Sequence, residues 1–392
     1  MASVPETGRP VVAIAHDYLT QRGGAERVVL ALARAFPGAP IYTTLYDPAG
    51  TFPEFADLDV RTSGLNRVGF LRRRHRAALP VLALASSRLT IEADVVIASS
   101  SGWAHGFPTR GKKIVYCYSP ARWLYQSDQY VGDRPGSIRR LALGLLRTGL
   151  KRWDKRAAAT ADRYLAISHV VRERIAECYG IDADVVPAPI APEVTEVVPE
   201  PVTTSWISAD GPPFLLCVSR LLPYKNVHLV MAAMRLLPDM RLVVVGRGPE
   251  QARLRSLAPS NVLMLEGLTD GQMRWLYQHA TAVVAASFED FGLTPLEAAA
   301  QGTPSVALRA GGFLDTVVEG RTGTFFDLPQ PALIAEAIEI AAAHPWDADV
   351  IRARAAEFSE ARFAERIRSA IATVTDRPPE PVRHPGEGPH HA

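Results

Sequence analysis

Short apolar runs alternate along this chain with longer segments whose apolar positions recur every three or four residues. In the first half, runs of strand-forming residues fall at 11–15, 41–46, 95–99, 114–118 and 164–168. Helical spacing fills the gaps. At 25–36 the residues Val28, Val29, Ala31, Leu32 and Phe36 share one face, and similar segments run over 71–84, 137–160 and 169–179. The second half repeats the alternation more regularly. Strands are predicted at 214–218, 242–245, 262–265, 282–286, 305–308 and 323–326. Helices are predicted at 227–237, 250–258, 271–277, 295–301, 313–318 and 331–343, with two more at 347–356 and 360–375. This rhythm predicts an α/β protein of two doubly wound parallel sheets, with ligands at the C-terminal ends of the strands. The stretch from Ala188 to Pro213 is rich in Pro, Val, Glu and Thr without periodicity and reads as a linker. The expected division is 1–190, a linker at 191–213, a second domain at 214–357, a terminal helix at 358–375 and a disordered tail at 376–392.

One stretch concentrates candidate chemistry. After the run ending at Ala286 comes Ser287-Phe288-Glu289-Asp290-Phe291-Gly292-Leu293-Thr294-Pro295-Leu296-Glu297, and then Gly302-Thr303-Pro304. Thr294, Pro295 and Glu297 read as N-cap, first helical residue and third helical residue, with Gly302 as the stop. Free N–H groups at such a helix start suit an anion, and the carboxylates Glu289 and Glu297 suit sugar hydroxyls. The alternative is structural: a capping box accounts for Glu297 alone, and Glu289 alone is a loop acid.

Composition narrows the class. A chain of 392 residues, 47% hydrophobic, 21% charged and net +2, fits a soluble protein of two domains. Cys117, Cys178 and Cys217 are widely spaced, two of them inside apolar runs, so free thiols in a reducing compartment are expected. No spacing of metal ligands occurs. The first ten residues lack a basic segment followed by an apolar core, and no apolar run is long enough to span a membrane. A cytoplasmic protein that binds no nucleic acid is the expectation. The charge is unevenly placed, because residues 61–156 carry 19 Lys or Arg against five Asp or Glu. Within Ser137 to Arg156, an apolar stripe of Ile138, Leu141, Leu145 and Leu146 is edged by Arg139, Arg140, Arg147, Lys151 and Arg152, with Trp153 beside it. Together with the basic run Arg72 to Arg76, this predicts either an anionic membrane surface as partner or a solvated helix on its own domain.

Three loops complete the candidate set. His16-Asp17 follows the first strand, and Gly23-Gly24-Ala25-Glu26 opens the first helix, a geometry that fits phosphate or a plain turn. Ser219-Arg220-Leu221-Leu222-Pro223-Tyr224-Lys225-Asn226 sets two cations between a strand and a helix, where they suit a diphosphate or serve as surface charges. Val245-Gly246-Arg247-Gly248 ends a strand without the third glycine of a dinucleotide fingerprint. The turns Glu266-Gly267-Leu268 and Arg309-Ala310-Gly311-Gly312 follow later strands.

Taken together, these motifs resemble the retaining glycosyltransferases of family 4, which have the GT-B fold. The match is Gly23-Gly24-x-Glu26, Ser219-Arg220 to Lys225-Asn226, Glu289 to Glu297 with Phe291-Gly292 inside, and Gly302-Thr303-Pro304. The resemblance implies two Rossmann-like domains facing an interdomain cleft and a nucleotide-sugar as co-substrate, with no cofactor and no metal. It implies that Arg220, Lys225 and Glu289 carry the chemistry. Gly23, Gly24, Gly246, Arg247, Leu268, Phe291, Gly292, Leu293 and Glu297 would hold the donor. His-Asp-x-Leu-Thr at 16–20 with Gly-Gly-Ala-Glu at 23–26 is nearest to mannosyltransferases of bacterial polysaccharide assembly, which implies GDP-mannose and a glycan or lipid-linked acceptor.

The chain departs from the family at one place. Cys117-Tyr118-Ser119-Pro120 carries Tyr118 where relatives have a histidine near the donor sugar, which makes Tyr118 the fourth catalytic candidate beside Arg220, Lys225 and Glu289. A phenol donates a hydrogen bond but does not become a cation near neutral pH. His16, Asp17, His105 and Arg122 are candidates to compensate or to meet the acceptor. Two rival readings follow: a catalytically silent nucleotide-sugar-binding assembly partner, and a GT-B sugar-nucleotide epimerase.

Overall fold

A computed structural model describes residues 10–125 and 137–375, except 74, 203, 205, 209 and 210. They divide into two compact units. One comprises the chain up to residue 167, residues 171–186 and residues from 361 onward; the other comprises Ser168–Val170 and Pro187–Glu360.

The first unit is built on seven parallel strands. These are β1 (Val12–His16), β2 (Ile41–Thr43), β3 (Val60–Thr62), β4 (Val95–Ser100), β5 (Lys112–Cys117), β6 (Arg163–Ala166) and β7 (Asp184–Val185). Their order is β3-β2-β1-β4-β5-β6-β7, and β1 lies in register with β4 from Val12↔Val95 to His16↔Ser99. Helices cover both faces of such a sheet, so its central strands are apolar without alternation. Ala13 to Ala15, Val95 to Ala98 and Ile114 to Tyr116 are all fully buried. Strand order reverses between β1 and β4, and a crevice for ligands is expected outside that switch point. The helix Glu360–Thr375 closes this unit: the Phe363 ring meets Tyr116 edge-on at 5.5 Å, and Arg368 donates to the Ala35 carbonyl.

The second unit holds six parallel strands. They are β8 (Phe214–Val218), β9 (Arg241–Val245), β10 (Val262–Leu265), β11 (Ala280–Ala285), β12 (Ser305–Leu308) and β13 (Gly323–Phe326). Their order, β10-β9-β8-β11-β12-β13, is the doubly wound arrangement with its switch between β8 and β11. Successive side chains go to opposite faces. Leu215, Cys217, Leu242, Val244, Ala282 and Val284 pack into one core cluster. Phe214, Leu216, Val243, Val245 and Val283 pack into the other. The three cysteines are free thiols, and burial pushes Cys217 up to about 12.

Most predicted elements recur within a residue or two; three readings need correction. The stretch 191–213 is packed, not a free linker. It carries the short helix Pro192–Glu196, and Val202 and Ile207 enter the second core because a Pro-rich strap needs no period to bury single apolar side chains. β3 and β7 are unpredicted edge strands, short enough to carry little apolar signal. The segment 71–84 is two helices, Gly69–Arg73 and His75–Ser87. Arg74, the side chains of His75 and Arg76, those of 137–146 including Arg139 and Arg140, and the tail from 376 lie outside the described residues. No helix among the described residues is long and apolar enough to cross a membrane.

Candidate functional site

The loops after β8 and β11 emerge side by side at the switch point of the second sheet. After β8 a 3₁₀ turn, Pro223–Lys225, ends at Asn226, which adopts the left-handed conformation (φ 55°) at the start of the helix Val227–Met234. Asn226 Nδ2 donates to the Ala286 carbonyl at 2.9 Å and so fastens this turn to the end of β11. The Lys225 ammonium then meets the Glu289 carboxylate in a direct ion pair, and the Ser287 hydroxyl donates to the same Glu289 oxygen. Both side chains keep some exposure, 12% for Lys225 and 24% for Glu289, so a ligand can compete for them. Their coupling runs through 64 positions of sequence.

Arg220 is exposed and donates to the Tyr224 hydroxyl at 3.2 Å, while Lys225 Nζ lies 5.1 Å from the centroid of the same ring. Tyr224 therefore stands between the two cations, a role that an aromatic residue one position before Lys225 hints at and that the sequence reading missed. A Cβ on Gly246 would overlap the carbonyl oxygen of Ser219, so only glycine lets the end of β9 approach the loop that carries Arg220. Arg247 is exposed and pairs with Glu266 at 3.3 Å. Leu268 packs against the second core cluster.

The expected cap at Thr294 is corrected. The helix is Leu293–Ala300, and its N-cap is Gly292 at φ 103°, with no side-chain cap. Glycine reaches that left-handed geometry without a Cβ penalty, so the helix opens two residues early and Thr294 falls inside it. Gly292 thereby supplies no side-chain cap to the first-turn N–H groups. Glu297 is free of the capping box and instead accepts from the Tyr277 hydroxyl at 2.7 Å. Burial and the adjacent Glu297 hold that phenol protonated, well above its usual range. Phe291 is buried behind the loop, and the Gly312 amide donates to the Glu289 carbonyl at 2.8 Å. The glycine turn after β12 thus supports the Glu289 loop from behind.

In the first unit most candidate groups are already occupied. The buried Asp17 carboxylate accepts from the amides of Ser101 (2.6 Å), Trp103 (3.0 Å) and Ala104 (2.6 Å). It caps the turn after β4 and is not available to an acceptor. His105 is buried, 3.0 Å from Ser100 Oγ on one side and 3.0 Å from Asp154 on the other. Tyr118 shares a hydrogen bond with Ser99 Oγ (2.8 Å) and donates to the Ala25 carbonyl (3.1 Å). Burial raises its pKa well above 10.0, so it acts as a donor. Gly23 is the N-cap of the helix Gly24–Ala35, and Arg122 opens the helix Arg122–Tyr125. Tyr277 and Ser99 are polar partners that no motif marked, while Tyr224 and Ser287 stand inside the quoted motifs with no role assigned to them there.

Comparison with known proteins places the chain among glycosyltransferases. Residues 22–194 match the model of Glycosyltransferase Family 4, and residues 204–358 match that of Glycosyl transferases group 1. A GDP-mannose-dependent alpha-(1-6)-phosphatidylinositol monomannoside mannosyltransferase of Mycolicibacterium smegmatis is 29% identical over 208 residues, 47% of this chain and 53% of the relative. The match thus spans about half the length of that protein. Human alpha-1,3/1,6-mannosyltransferase ALG2 is 29% identical over 386 residues, 86% of this chain and 88% of its own. Among solved structures, Anabaena HepE in complex with UDP and glucose superposes with a TM-score of 0.66 at 17% identity, covering 93% of this chain and all of that one. That likeness shows the GT-B fold.

Proposed function

The chain belongs to the glycosyltransferases, with a family 4 region followed by a group 1 region, and from that premise we propose retaining hexosyl transfer from a nucleotide-sugar. The favoured donor is GDP-mannose and the acceptor a glycan or lipid-linked glycan. Two mannosyltransferase relatives support mannose; the UDP and glucose in HepE are the reason to test UDP-sugars beside it.

The observation that carries this reading is the Lys225–Glu289 pair at the β8/β11 switch point, with Arg220 exposed beside it. Lys225 and the Arg220 fork would hold the donor diphosphate, and their fixed charge is worth most where negative charge develops on the leaving group. In the transfer, the bond from the anomeric carbon to the diphosphate oxygen breaks. A bond to the acceptor oxygen forms on the same face, and the acceptor proton passes to the departing diphosphate. Glu289 would orient sugar hydroxyls and Glu297 the ribose. The scheme requires no metal, so chelator should leave turnover unchanged.

A donor screen by thermal shift, followed by product analysis, tests the reading. A new α-linked glycoside formed from the donor that stabilises the protein is the expected result. A free sugar nucleotide with altered configuration would indicate an epimerase instead. A second reading, a silent nucleotide-sugar-binding partner, draws on Tyr118, whose hydroxyl is committed to Ser99 and Ala25. Donor binding without turnover would favour it. Peripheral attachment to an anionic membrane through the basic helix Ser137–Ala158 is the location we propose for the enzyme.

A further inference from the structure

The first unit contains a buried charge pair that the proposed transfer does not use. At the end of β1, His16 is 2% exposed, with Nδ1 3.0 Å from Ser99 Oγ and 3.1 Å from the Ser99 carbonyl oxygen. Its Nε2 faces Glu26 Oε1 at 3.9 Å. Glu26 stands in the first turn of the 12-residue helix Gly24–Ala35 and is 1% exposed. Its second oxygen, Oε2, is buried and has no hydrogen-bond partner among the described residues. That oxygen lies against the glycine loop, since a Cβ on Gly23 would sit 2.6 Å from it.

The charges conflict unless they are balanced. A helix start attracts an anion through its free N–H groups and the positive end of its dipole. Here a carboxylate fixed in the first turn already occupies that field, and with little water around it would repel a second anion. His16 is positioned to cancel it. The other groups facing the imidazole are Asp17, consumed by three backbone amides, and the Ser99 hydroxyl, which also bonds to Tyr118.

We propose that His16 is the counter-charge that lets the Gly23–Gly24 loop accept an anionic phosphate group, by neutralising Glu26 at the helix start. The inference rests on the reading of a nucleoside diphosphate as ligand. His16 is a positioning residue, acting through Glu26. Burial works against its cationic form, but Glu26, Asp17 and the Ser99 carbonyl outweigh burial and raise its pKa above 6.5. The charge is therefore present below 6.5 and is lost as pH rises through the raised value, leaving Glu26 uncompensated.

The test is equilibrium binding of GDP, UDP and inorganic pyrophosphate, in separate arms, to the full chain and to His16→Gln, Glu26→Gln and the double variant. Each is measured from about pH 6 to 8.5, spanning the imidazole range, and corrected for the ligand's own phosphate titration, which falls in the same window and is common to all variants. Wild-type affinity should fall about tenfold as pH rises, the size of a favourable helix-terminus charge effect. His16→Gln should bind about tenfold more weakly at the acid end and show no pH dependence. Glu26→Gln should bind at least as tightly as wild type at acid pH and stay flat, and the double variant should recover to its level. Losses in all three arms assign the loop to phosphate from any source; losses with GDP and UDP alone assign it to the nucleotide. Equal weakening in His16→Gln and the double variant, or pH dependence that persists in Glu26→Gln, overturns the counter-charge role. Should His16→Gln fail to fold, the pH profiles of wild type and Glu26→Gln decide. Wild type that binds no nucleotide at any pH rejects the donor reading together with this inference, whereas nucleotide binding indifferent to His16 rejects the inference alone.

Discussion

The two parallel sheets share a strand order around their switch points but treat their polar groups in opposite ways. Beyond β8 and β11, Lys225 and Glu289 are partly exposed and Arg220 is exposed, each with partners a ligand can displace. Beyond β1 and β4, Asp17 is consumed by three amides, His105 is wedged against Asp154, and Tyr118 is tied to Ser99 and Ala25. One topology thus yields an open charged site in one unit and a buried polar cluster in the other, most of whose groups bond to one another while Glu26 Oε2 does not. A charged residue at a strand end is a site candidate only while its partners are exchangeable, which burial and hydrogen-bond count decide and motif position does not.

The sharpest way to break this contrast is Asp17→Ala. Three backbone amides, those of Trp103 and Ala104 buried, would lose their acceptor at once, and a buried, multiply bonded carboxylate costs about 3–5 kcal/mol to remove. Urea unfolding should report a loss of that size. A loss below about 1 kcal/mol would mean that Asp17 is not structural and would return it to the acceptor candidates.

Lys225→Ala should do the reverse. A fall in kcat/KM of about 2–4 kcal/mol, roughly 30- to 1000-fold, is expected with little change in unfolding midpoint. Arg220→Ala should show the same direction. Steady-state kinetics on the donor found by thermal shift checks both, and near-wild-type kcat/KM in the two variants would sink the donor site.

How much of this was legible in the sequence follows from what kind of contact each feature rests on. β8, β10, β12 and β13 match the predicted bounds, the edge strands β10 and β13 included, because each is a short, mainly apolar run bounded by Gly, Pro, Asn or charge. The Ser219–Asn226 and Ser287–Glu297 loops could be read because the motif order follows the strand order. Pairings across long separations could not be read. Nothing local ties Tyr277 to Glu297 or Asp17 to the turn after Ser100, so the capping box at Thr294 looked sufficient. That reading failed at Gly292, where a left-handed glycine sets the helix start and local side-chain preference has no say.

The same comparison can be sharpened within the helix Ser137–Ala158. Its C-terminal half turns part of the expected basic face inward: Arg147 donates to the Leu124 carbonyl at 2.8 Å, and Lys151 lies 4.9 Å from the Tyr125 ring. Trp153 donates to Ser87 Oγ at 2.9 Å and packs 5.7 Å from the Trp103 ring, so it does not face a bilayer. Arg152, Lys155 and Arg156 remain exposed. Replacing these three by Ser should weaken binding to anionic vesicles by about 1 kcal/mol each at low salt, with the difference vanishing as salt is raised. Wild-type protein that ignores such vesicles in a flotation assay would leave this helix as a solvated element of its own unit.

The smallest effect expected is at Tyr277→Phe, and it separates the two carboxylates of the open site. The substitution keeps the buried ring and removes the single hydroxyl that donates to Glu297. Glu297 reaches solvent from the first turns of its helix, so water can replace part of the lost bond. A net change of about 0.5–1.5 kcal/mol is the ordinary value for one such hydrogen bond. If Glu297 is oriented toward a ribose, that loss should appear as a threefold to tenfold weaker affinity for the nucleoside diphosphate, with kcat preserved because Lys225 and Glu289 are untouched. If Glu297 only braces the helix, the same substitution should lower the unfolding free energy and leave nucleotide affinity alone. Binding calorimetry and urea unfolding on the one variant therefore assign Glu297 to ligand or to fold, a distinction that Glu297→Gln by itself would blur by altering the charge in both roles.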